Sequence, residues 1–183
     1  EMFITGYNTQ DLVMKPAFHR DAIQAIRDLA RDCADGLALA IGGPWVEEDK
    51  LYNAYFILAN GAIKSVVQKH HLPNETVFDE VRIFSSGAVS GPYAIGDLRI
   101  GSPVCEDSWH DDVAETLAET GAEVLLVPNG SPYFRGKMDV RYNHMVARVV
   151  ETGLPLIYLN MTGGQDDQVF DGASFALNPG GEL

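Results

Sequence analysis

The pattern of hydrophobic and polar positions alternates between helical and strand periodicity along the chain. Between residues 22 and 33, apolar side chains recur at spacings of three and four, which predicts an amphipathic helix that ends near Gly36. The apolar run at residues 37–41 then predicts a buried strand, which Gly42-Gly43-Pro44 is expected to end. Near the start of the chain, Met2-Phe3-Ile4 also has a strand-like composition.

The next two segments predict a hairpin. Residues 52–58 and 63–67 are rich in apolar side chains, and they flank Asn60-Gly61. This dipeptide adopts positive φ readily and therefore suits a tight two-residue turn. A polar stretch from about residue 70 to residue 91 then predicts a long loop.

The second half of the chain repeats strands and helices in alternation. Its predicted strands are residues 98–105, 124–127, 154–159 and 170–177, and its predicted helices are one that contains Val113, Leu117 and Ala118 and one at residues 138–152. Nearly continuous apolar strands between helices are typical of a sheet with helices packed on it, and hairpins make such a sheet mixed. The pattern therefore predicts an α/β layered fold in a single domain, residues 1–183.

Composition and charge narrow the classes of partner. The 183 residues are 46% hydrophobic, which is enough for one sizeable core. Thirteen Lys and Arg against 26 Asp and Glu give a net charge of −13, which argues against nucleic acid or an anionic membrane surface as a partner. Two cysteines are too few for a secreted disulfide scaffold, and no stretch approaches the roughly 20 apolar residues of a membrane span. A reducing cytoplasm is the expected location.

Three polar residues next to predicted strands are candidates for chemistry: Glu1, Lys69 and Cys105. Each has a structural alternative, namely a terminal charge, an exposed strand-edge lysine and a buried structural cysteine. Together, however, a Cys, a Lys and a Glu form a coherent set for acyl transfer from an amide, as nucleophile, oxyanion stabiliser and proton carrier. Cys33, on the apolar face of the first predicted helix, is expected to be structural.

Histidine-based sites are weaker alternatives. His70 and His71 are adjacent, so on an extended backbone they would point to opposite sides and make poor joint ligands, and no metal site is expected. A catalytic pair of Cys105 with a histidine stays open, but the spacing singles out none of His70, His110 and His144.

Four segments together resemble the nitrilase, or carbon-nitrogen hydrolase, superfamily. They are Glu1-Met2-Phe3-Ile4-Thr5-Gly6-Tyr7, Lys69-His70-His71-Leu72-Pro73-Asn74, Val104-Cys105-Glu106-Asp107-Ser108-Trp109 and Asn129-Gly130-Ser131-Pro132-Tyr133. Within the superfamily, the glutaminase domains of glutamine-dependent NAD synthetases are the most similar, because they share stretches like Val77-Phe78-Asp79-Glu80 and Gly163-Gly164-Gln165-Asp166. The resemblance implies an αββα sandwich, here expected to be incomplete at both ends.

The resemblance also implies a Glu-Lys-Cys triad. In this sequence Glu1 is expected to act as general base and acid, Lys69 as oxyanion stabiliser and Cys105 as nucleophile. Glu80, in the loop that follows Lys69, is expected to be a supporting carboxylate.

A site for the α-amino-acid head group of glutamine follows from the same resemblance. Ser131 and Lys137 are expected to bind this head group, and an ammonium that faces the α-carboxylate is the physical reason for a basic residue. Glu75 stands where many members carry a tyrosine. Its carboxylate would accept from the α-ammonium of the substrate but repel the α-carboxylate.

These residues lead to the hypothesis of a glutamine amidotransferase domain that hydrolyses L-glutamine to glutamate and ammonia through a Cys105 thioester. No cofactor is expected for this step. In the complete enzyme the ammonia would serve NAD synthesis from nicotinic acid adenine dinucleotide on a synthetase domain that uses ATP and Mg²⁺, and the resemblance implies a homo-oligomer. The alternatives are a free-standing amidase or carbamoylase of the superfamily and a catalytically silent fragment that supports assembly.

Overall fold

A sheet with its own helices forms each half of the chain, so the predicted α/β class is confirmed. The structure, a computed structural model, describes residues 1–183. Two compact units divide these residues, Glu1–Ala88 and Val89–Leu183. No helix in either unit is both long enough and apolar enough to cross a membrane.

The first unit is a three-stranded antiparallel sheet with one long helix. Its elements are a 3₁₀ helix at Gln10–Met14, α1 (Pro16–Asp32), β1 (Leu39–Glu47), β2 (Lys50–Ala59), β3 (Ala62–Gln68) and the short α2 (Glu80–Ile83). β2 is the central strand, and its side chains Phe56 and Leu58 form a core with Ile26 and Ala30 of α1. The hairpin at Asn60-Gly61 is confirmed, with φ values of 50° and 76°.

Two predictions for the first unit are wrong. β1 does not end at Gly42-Gly43-Pro44 but continues through these residues to Glu47. Met2-Phe3-Ile4 is not a strand, because residues 3–5 form a turn and the Ile4 N–H donates to the Gly42 carbonyl over 3.1 Å. A Cβ at Gly42 would lie only 2.4 Å from Met2 N and 2.7 Å from Glu1 Cα. Glycine is required there because the first residues lie directly against β1.

The second unit is built on a mixed five-stranded sheet in the order β10-β7-β6-β5-β4. Its elements are β4 (Tyr93–Ile95), β5 (Leu98–Gly101), a 3₁₀ helix at Cys105–Trp109, α3 (Asp111–Glu119), β6 (Val124–Asn129), α4 (Lys137–Thr152), β7 (Leu156–Asn160), β8 (Thr162–Gln165), β9 (Gln168–Asp171) and β10 (Phe175–Leu177). β5, β6 and β7 are parallel, whereas β4 and β10 pair antiparallel at the edges. The predicted mixed sheet is therefore confirmed, and residues of α3 and α4 such as Leu117 and Met145 form its core with Leu125 and Tyr158.

The strands of the second unit are shorter than the sequence predicts. β5 ends at Gly101, and the predicted segment 170–177 divides between β9, which pairs with β8 in a separate hairpin, and β10. The three parallel strands share one carboxyl edge, where Cys105 lies four residues beyond β5 and Asn129 and Asn160 end β6 and β7. Functional groups concentrate at this edge in open α/β sheets.

Candidate active site

Glu1 is buried in the first unit, with 5% of the residue exposed. The close approach of its backbone to Gly42 sets its position beside β1. Its Oε1 accepts a hydrogen bond from the Lys69 ammonium over 2.6 Å and another from Asn53 Nδ2 over 2.9 Å. The carboxylate is therefore held by a cation and a neutral donor at the same oxygen.

Lys69, directly after β3, is completely buried. Its backbone N–H donates to Asn53 O over 2.9 Å, and its carbonyl accepts from Gly87 N over 2.8 Å. The ammonium contacts Glu1 Oε1 at 2.6 Å and Glu80 Oε2 at 2.8 Å. A buried ammonium requires such counter-charges, because an unpaired ammonium away from water costs several kcal/mol in free energy.

Glu80 is the first residue of α2 and is 2% exposed. Besides its ion pair with Lys69, its Oε1 accepts from the Tyr7 hydroxyl over 2.6 Å and from Asn53 Nδ2 over 2.8 Å. The structure thus brings three of the predicted site residues, Glu1, Lys69 and Glu80, into one buried cluster. We call these three residues, with Asn53 and Tyr7, the carboxylate cluster.

The carboxylate cluster has two carboxylates and one ammonium. Burial raises the pKa of Glu80 above its usual range, and the negative charge of Glu1 raises it further, while the ammonium of Lys69 acts in the opposite direction. Glu80 therefore holds a proton more readily than an isolated glutamate does.

Cys105 belongs to the second unit and is 5% exposed. It begins the 3₁₀ helix with φ of 49°, a conformation that costs energy for a residue with a Cβ and often occurs at functional sites. Two side chains of the same turn stabilise it: Asp107 Oδ2 accepts from Val104 N over 3.0 Å, and Ser108 Oγ donates to Cys105 O over 2.6 Å. Cys33, by contrast, packs in the core of the first unit.

Ser131 follows β6 and is 4% exposed. Its hydroxyl accepts from Arg141 Nε over 3.2 Å, and its carbonyl accepts from Arg141 Nη2 over 2.7 Å and from Asn160 Nδ2 over 3.1 Å. Arg141 is completely buried and also binds both carboxylate oxygens of Asp171, at 2.9 and 3.1 Å. Arg141, which an ion pair with β9 holds in place, therefore fixes the predicted substrate-binding serine.

Lys137 is the first residue of α4, and two aromatic rings flank its ammonium. The Nζ atom lies 4.4 Å from the ring centroid of Trp109 and 4.7 Å from that of Phe134. The ring of His144 also packs against Trp109, with 4.2 Å between the ring centroids. Burial lowers the pKa of His144, and the positive charges of Arg148 and Lys137 lower it further. Cation–π contacts of this kind hold a cation in place without neutralising it.

Glu75 and the adjacent histidines His70 and His71 belong to the segment between β3 and α2. Glu75 is exposed in the loop before α2, where its carbonyl accepts from Phe78 N over 3.0 Å. The expectation that His70 and His71 point apart is wrong, because their rings pack edge to face at 4.7 Å beyond the regular strand. His70 Nδ1 also lies 2.7 Å from the Gly87 carbonyl.

Comparison with known sequences decides the family. The sequence profile described as carbon-nitrogen hydrolase matches residues 1–183, the whole chain. The chain belongs to the carbon-nitrogen hydrolase family. The resemblance to the nitrilase superfamily is thereby confirmed.

Curated relatives of this carbon-nitrogen hydrolase chain are named glutamine-dependent NAD(+) synthetase. The protein from Rhodobacter capsulatus is 61% identical over 183 residues, which are 100% of this chain and 33% of the relative. The protein from Xanthomonas campestris pv. campestris is 36% identical over 185 residues, again 100% of this chain and 33% of the relative. The chain thus spans about a third of the length of these relatives.

Solved structures confirm the nitrilase-like fold. The glutamine-dependent NAD+ synthetase of Acinetobacter baumannii matches 97% of this chain and 34% of its own with a TM-score of 0.89 at 32% identity. An amidase from Nesterenkonia sp. AN1 matches 97% of this chain and 69% of its own with a TM-score of 0.79 at 25% identity.

Sequence reasoning missed two residues that contact the candidate site residues, Asn53 and Arg141. Asn53 is a lone amide in the otherwise apolar segment 52–58, and that interruption of a buried strand was its available signal. Arg141 is a buried cation within α4, where the sequence pattern alone suggests an ordinary polar position. Arg141 is held in place by Asp171, which is 30 residues away in the chain.

Proposed function

We propose that this chain is the glutaminase domain of a glutamine-dependent NAD synthetase and that it hydrolyses L-glutamine to glutamate and ammonia. The observation that carries the proposal is the 61% identity over the whole chain to the Rhodobacter capsulatus protein of that name. The buried carboxylate cluster supports it, because amide hydrolysis requires a proton carrier and a cation for the oxyanion. A free-standing amidase is less well supported, since the amidase relative is 25% identical.

In the proposed acylation step, the Cys105 thiolate attacks the side-chain amide carbon of glutamine. Glu1 takes the proton from the thiol and then gives it to the departing nitrogen, which leaves as ammonia. The Lys69 ammonium stabilises the oxyanion of the tetrahedral intermediate. The Nesterenkonia amidase offers a parallel for the nucleophile, because acrylamide adds to its active-site cysteine.

In the proposed deacylation step, water attacks the glutamyl thioester and releases glutamate. Glu1 accepts a proton from this water and returns it to the cysteine sulfur, so the enzyme regains its starting state. The ion pair with Lys69 and the hydrogen bond from Asn53 favour the ionised form of Glu1 that both steps need.

The head group of glutamine is proposed to bind at Ser131 and Lys137. Arg141 fixes the serine, and Trp109 and Phe134 flank the ammonium of Lys137, so both groups are pre-organised for a zwitterion. Glu75, an exposed carboxylate, is proposed to accept from the α-ammonium.

Cofactors and partners follow from the same proposal. The hydrolytic steps need no cofactor, because side chains handle every proton and charge. ATP and Mg²⁺ would serve the synthetase domain of the complete enzyme, which would use the ammonia to form NAD. We further propose a homo-oligomer in the cytoplasm, where two free cysteines would remain reduced.

A glutamine-mimicking diazo ketone tests the nucleophile directly. In the full-length protein we expect stoichiometric labelling of Cys105 and none of Cys33, measured by peptide mass spectrometry. The matched controls are Cys105→Ala, which should abolish labelling, and Cys33→Ala, which should retain it. A folded wild-type protein that is not labelled would favour a catalytically silent domain.

A comparison of glutamine and ammonium as nitrogen donors tests the proposed role in NAD synthesis. Cys105→Ala in the full-length protein should lose glutamine-supported synthesis and keep synthesis with added ammonium. The measurement is NAD formation with each donor, and undiminished turnover with glutamine would contradict the assignment of Cys105. Glutamine hydrolysis without any NAD formation by the wild type would favour a free-standing amidase.

A further inference from the structure

Asn53 occupies an unusual place for an amide. It is completely buried in β2, the central strand of its sheet, within a run whose other members from Tyr52 to Leu58 are apolar or aromatic. Burying an amide is unfavourable unless its polar atoms find partners. The contacts of Asn53 therefore indicate why the amide is present.

The amide nitrogen of Asn53 bridges the two acids of the carboxylate cluster. Nδ2 donates to Glu1 Oε1 over 2.9 Å and to Glu80 Oε1 over 2.8 Å, which uses both of its hydrogens. Only one orientation of the amide suits this position, because the opposite one would direct its oxygen at two carboxylate oxygens.

The other half of the amide is not used. Asn53 Oδ1 is buried and has no hydrogen-bond partner, so the environment selects this side chain for its two donors and not for its acceptor. The backbone of Asn53 adds a third link, since its carbonyl accepts from Lys69 N over 2.9 Å.

We infer that Asn53 is a positioning residue for the glutamine hydrolysis proposed above, on which this inference rests. Its two N–H groups hold Glu1 and Glu80 around the Lys69 ammonium and favour the ionised form of Glu1. One ammonium faces two carboxylates, so neutral donors such as Asn53 and the Tyr7 hydroxyl help to stabilise the charge that the ammonium does not balance. Hydrogen bonds to a charged form stabilise that form, so the loss of the Asn53 hydrogen bond makes Glu1 easier to protonate.

Asn53→Leu and Asn53→Asp test this role in the full-length protein. Leucine removes both donors at similar volume, and aspartate keeps the shape but replaces the amide by an acid. For both variants we expect kcat for glutamine hydrolysis to fall by about 10- to 100-fold with KM changed by less than about threefold. The acidic limb of the pH profile of kcat/KM should move up by about one pH unit.

Tyr93→Phe is the matched control for the loss of a buried hydrogen bond. It removes the 2.9 Å contact between the Tyr93 hydroxyl and Ser102 Oγ in the second unit and should leave the acidic limb in place. Thermal unfolding gives the folded fraction, and the shape-preserving Asn53→Asp remains informative where Asn53→Leu folds poorly.

The possible outcomes separate this inference from the proposed function. An active wild type whose Asn53 variants keep the wild-type acidic limb, or lose activity only in proportion to the folded fraction, would overturn the positioning role. A wild type that hydrolyses no glutamine would instead overturn the proposed function. An upward shift in both Asn53 variants and not in Tyr93→Phe would support the inference.

Discussion

The two units hold their candidate functional groups by different physical means. In the first, Lys69 is completely buried between Glu1 and Glu80, and opposite charges fix its position. In the second, the conformation of the chain presents Cys105, with φ of 49° and a short 3₁₀ helix braced by Asp107. Glu1 and Lys69 thus depend on charge balance for their positions, and Cys105 depends on backbone shape.

This contrast determines which substitutions each unit tolerates. Changing a charge at constant shape should damage the carboxylate cluster most, because the remaining charges stay buried without compensation. In the second unit, removing a side chain that braces the loops after the strands should matter most, because those loops carry Cys105 and Ser131.

Lys69→Met should have the largest effect. The change keeps the length of the side chain but leaves two buried carboxylates, so we expect a loss of about 3–5 kcal/mol in the free energy of unfolding. Adding Glu80→Gln to this variant removes one uncompensated charge and should restore part of the loss. Urea unfolding of the single and double variants measures the free energy of unfolding of each. If both variants lost the same stability, uncompensated charge would not be the cause of the loss.

Arg141→Met tests the corresponding brace of the second unit. It removes the ion pair with Asp171 and both contacts to Ser131, so we expect a loss of about 2–4 kcal/mol in the free energy of unfolding and a higher KM for glutamine.

Arg148→Met is the control on the same helix. Arg148 Nε and Nη1 are buried without partners, and Nη2 pairs with Glu151 at 2.7 Å, so replacement should change stability by less than about 1 kcal/mol and leave KM unchanged. If Arg141→Met and Arg148→Met had similar effects, the contacts of Arg141 with Ser131 would not be the cause of the lost stability and the higher KM.

Local patterns in the sequence predicted much of the fold. α1 and α4 follow from helical periodicity, and the hairpin between β2 and β3 follows from Asn60-Gly61, because these signals depend on neighbouring residues. Glu1, Lys69 and Glu80 were expected from family resemblance, and the structure brings these three together.

Long-range contacts account for what the sequence did not reveal. Gly42-Gly43 resembles a strand end in the sequence, but Gly42 provides space for residues 1 and 2, which only the folded chain brings to β1. Likewise, the role of Arg141 requires a carboxylate on β9, and the role of Asn53 requires two acids that are 52 and 27 residues away. Periodicity carries no information about such partners.

Gly42→Ala tests a packing contact within the first unit, where charge balance otherwise holds Glu1. The added Cβ would collide with the backbone of Glu1 and Met2, so we expect a loss of about 1–3 kcal/mol in the free energy of unfolding and a lower kcat because Glu1 is displaced. Gly91→Ala is the control, since a Cβ there meets no atom within 4 Å. Wild-type kcat in Gly42→Ala would show that the position of Glu1 does not depend on this contact.

The smallest expected effect is on the pH dependence of stability. Because burial raises the pKa of Glu80 above its ordinary value in the folded state, the folded chain binds more protons than the unfolded chain, and stability falls as pH rises through the folded pKa. Glu80→Gln stays uncharged, so its melting temperature should fall less than that of the wild type as pH rises above about 4.5. Thermal unfolding across this range measures the difference, with the exposed Glu75→Gln as the control for the loss of one surface carboxyl group. If melting temperature depended on pH in the same way for the wild type and Glu80→Gln, charge balance in the carboxylate cluster would leave Glu80 as acidic as an exposed glutamate. The contrast between the two units would then depend on Lys69 and Glu1 alone.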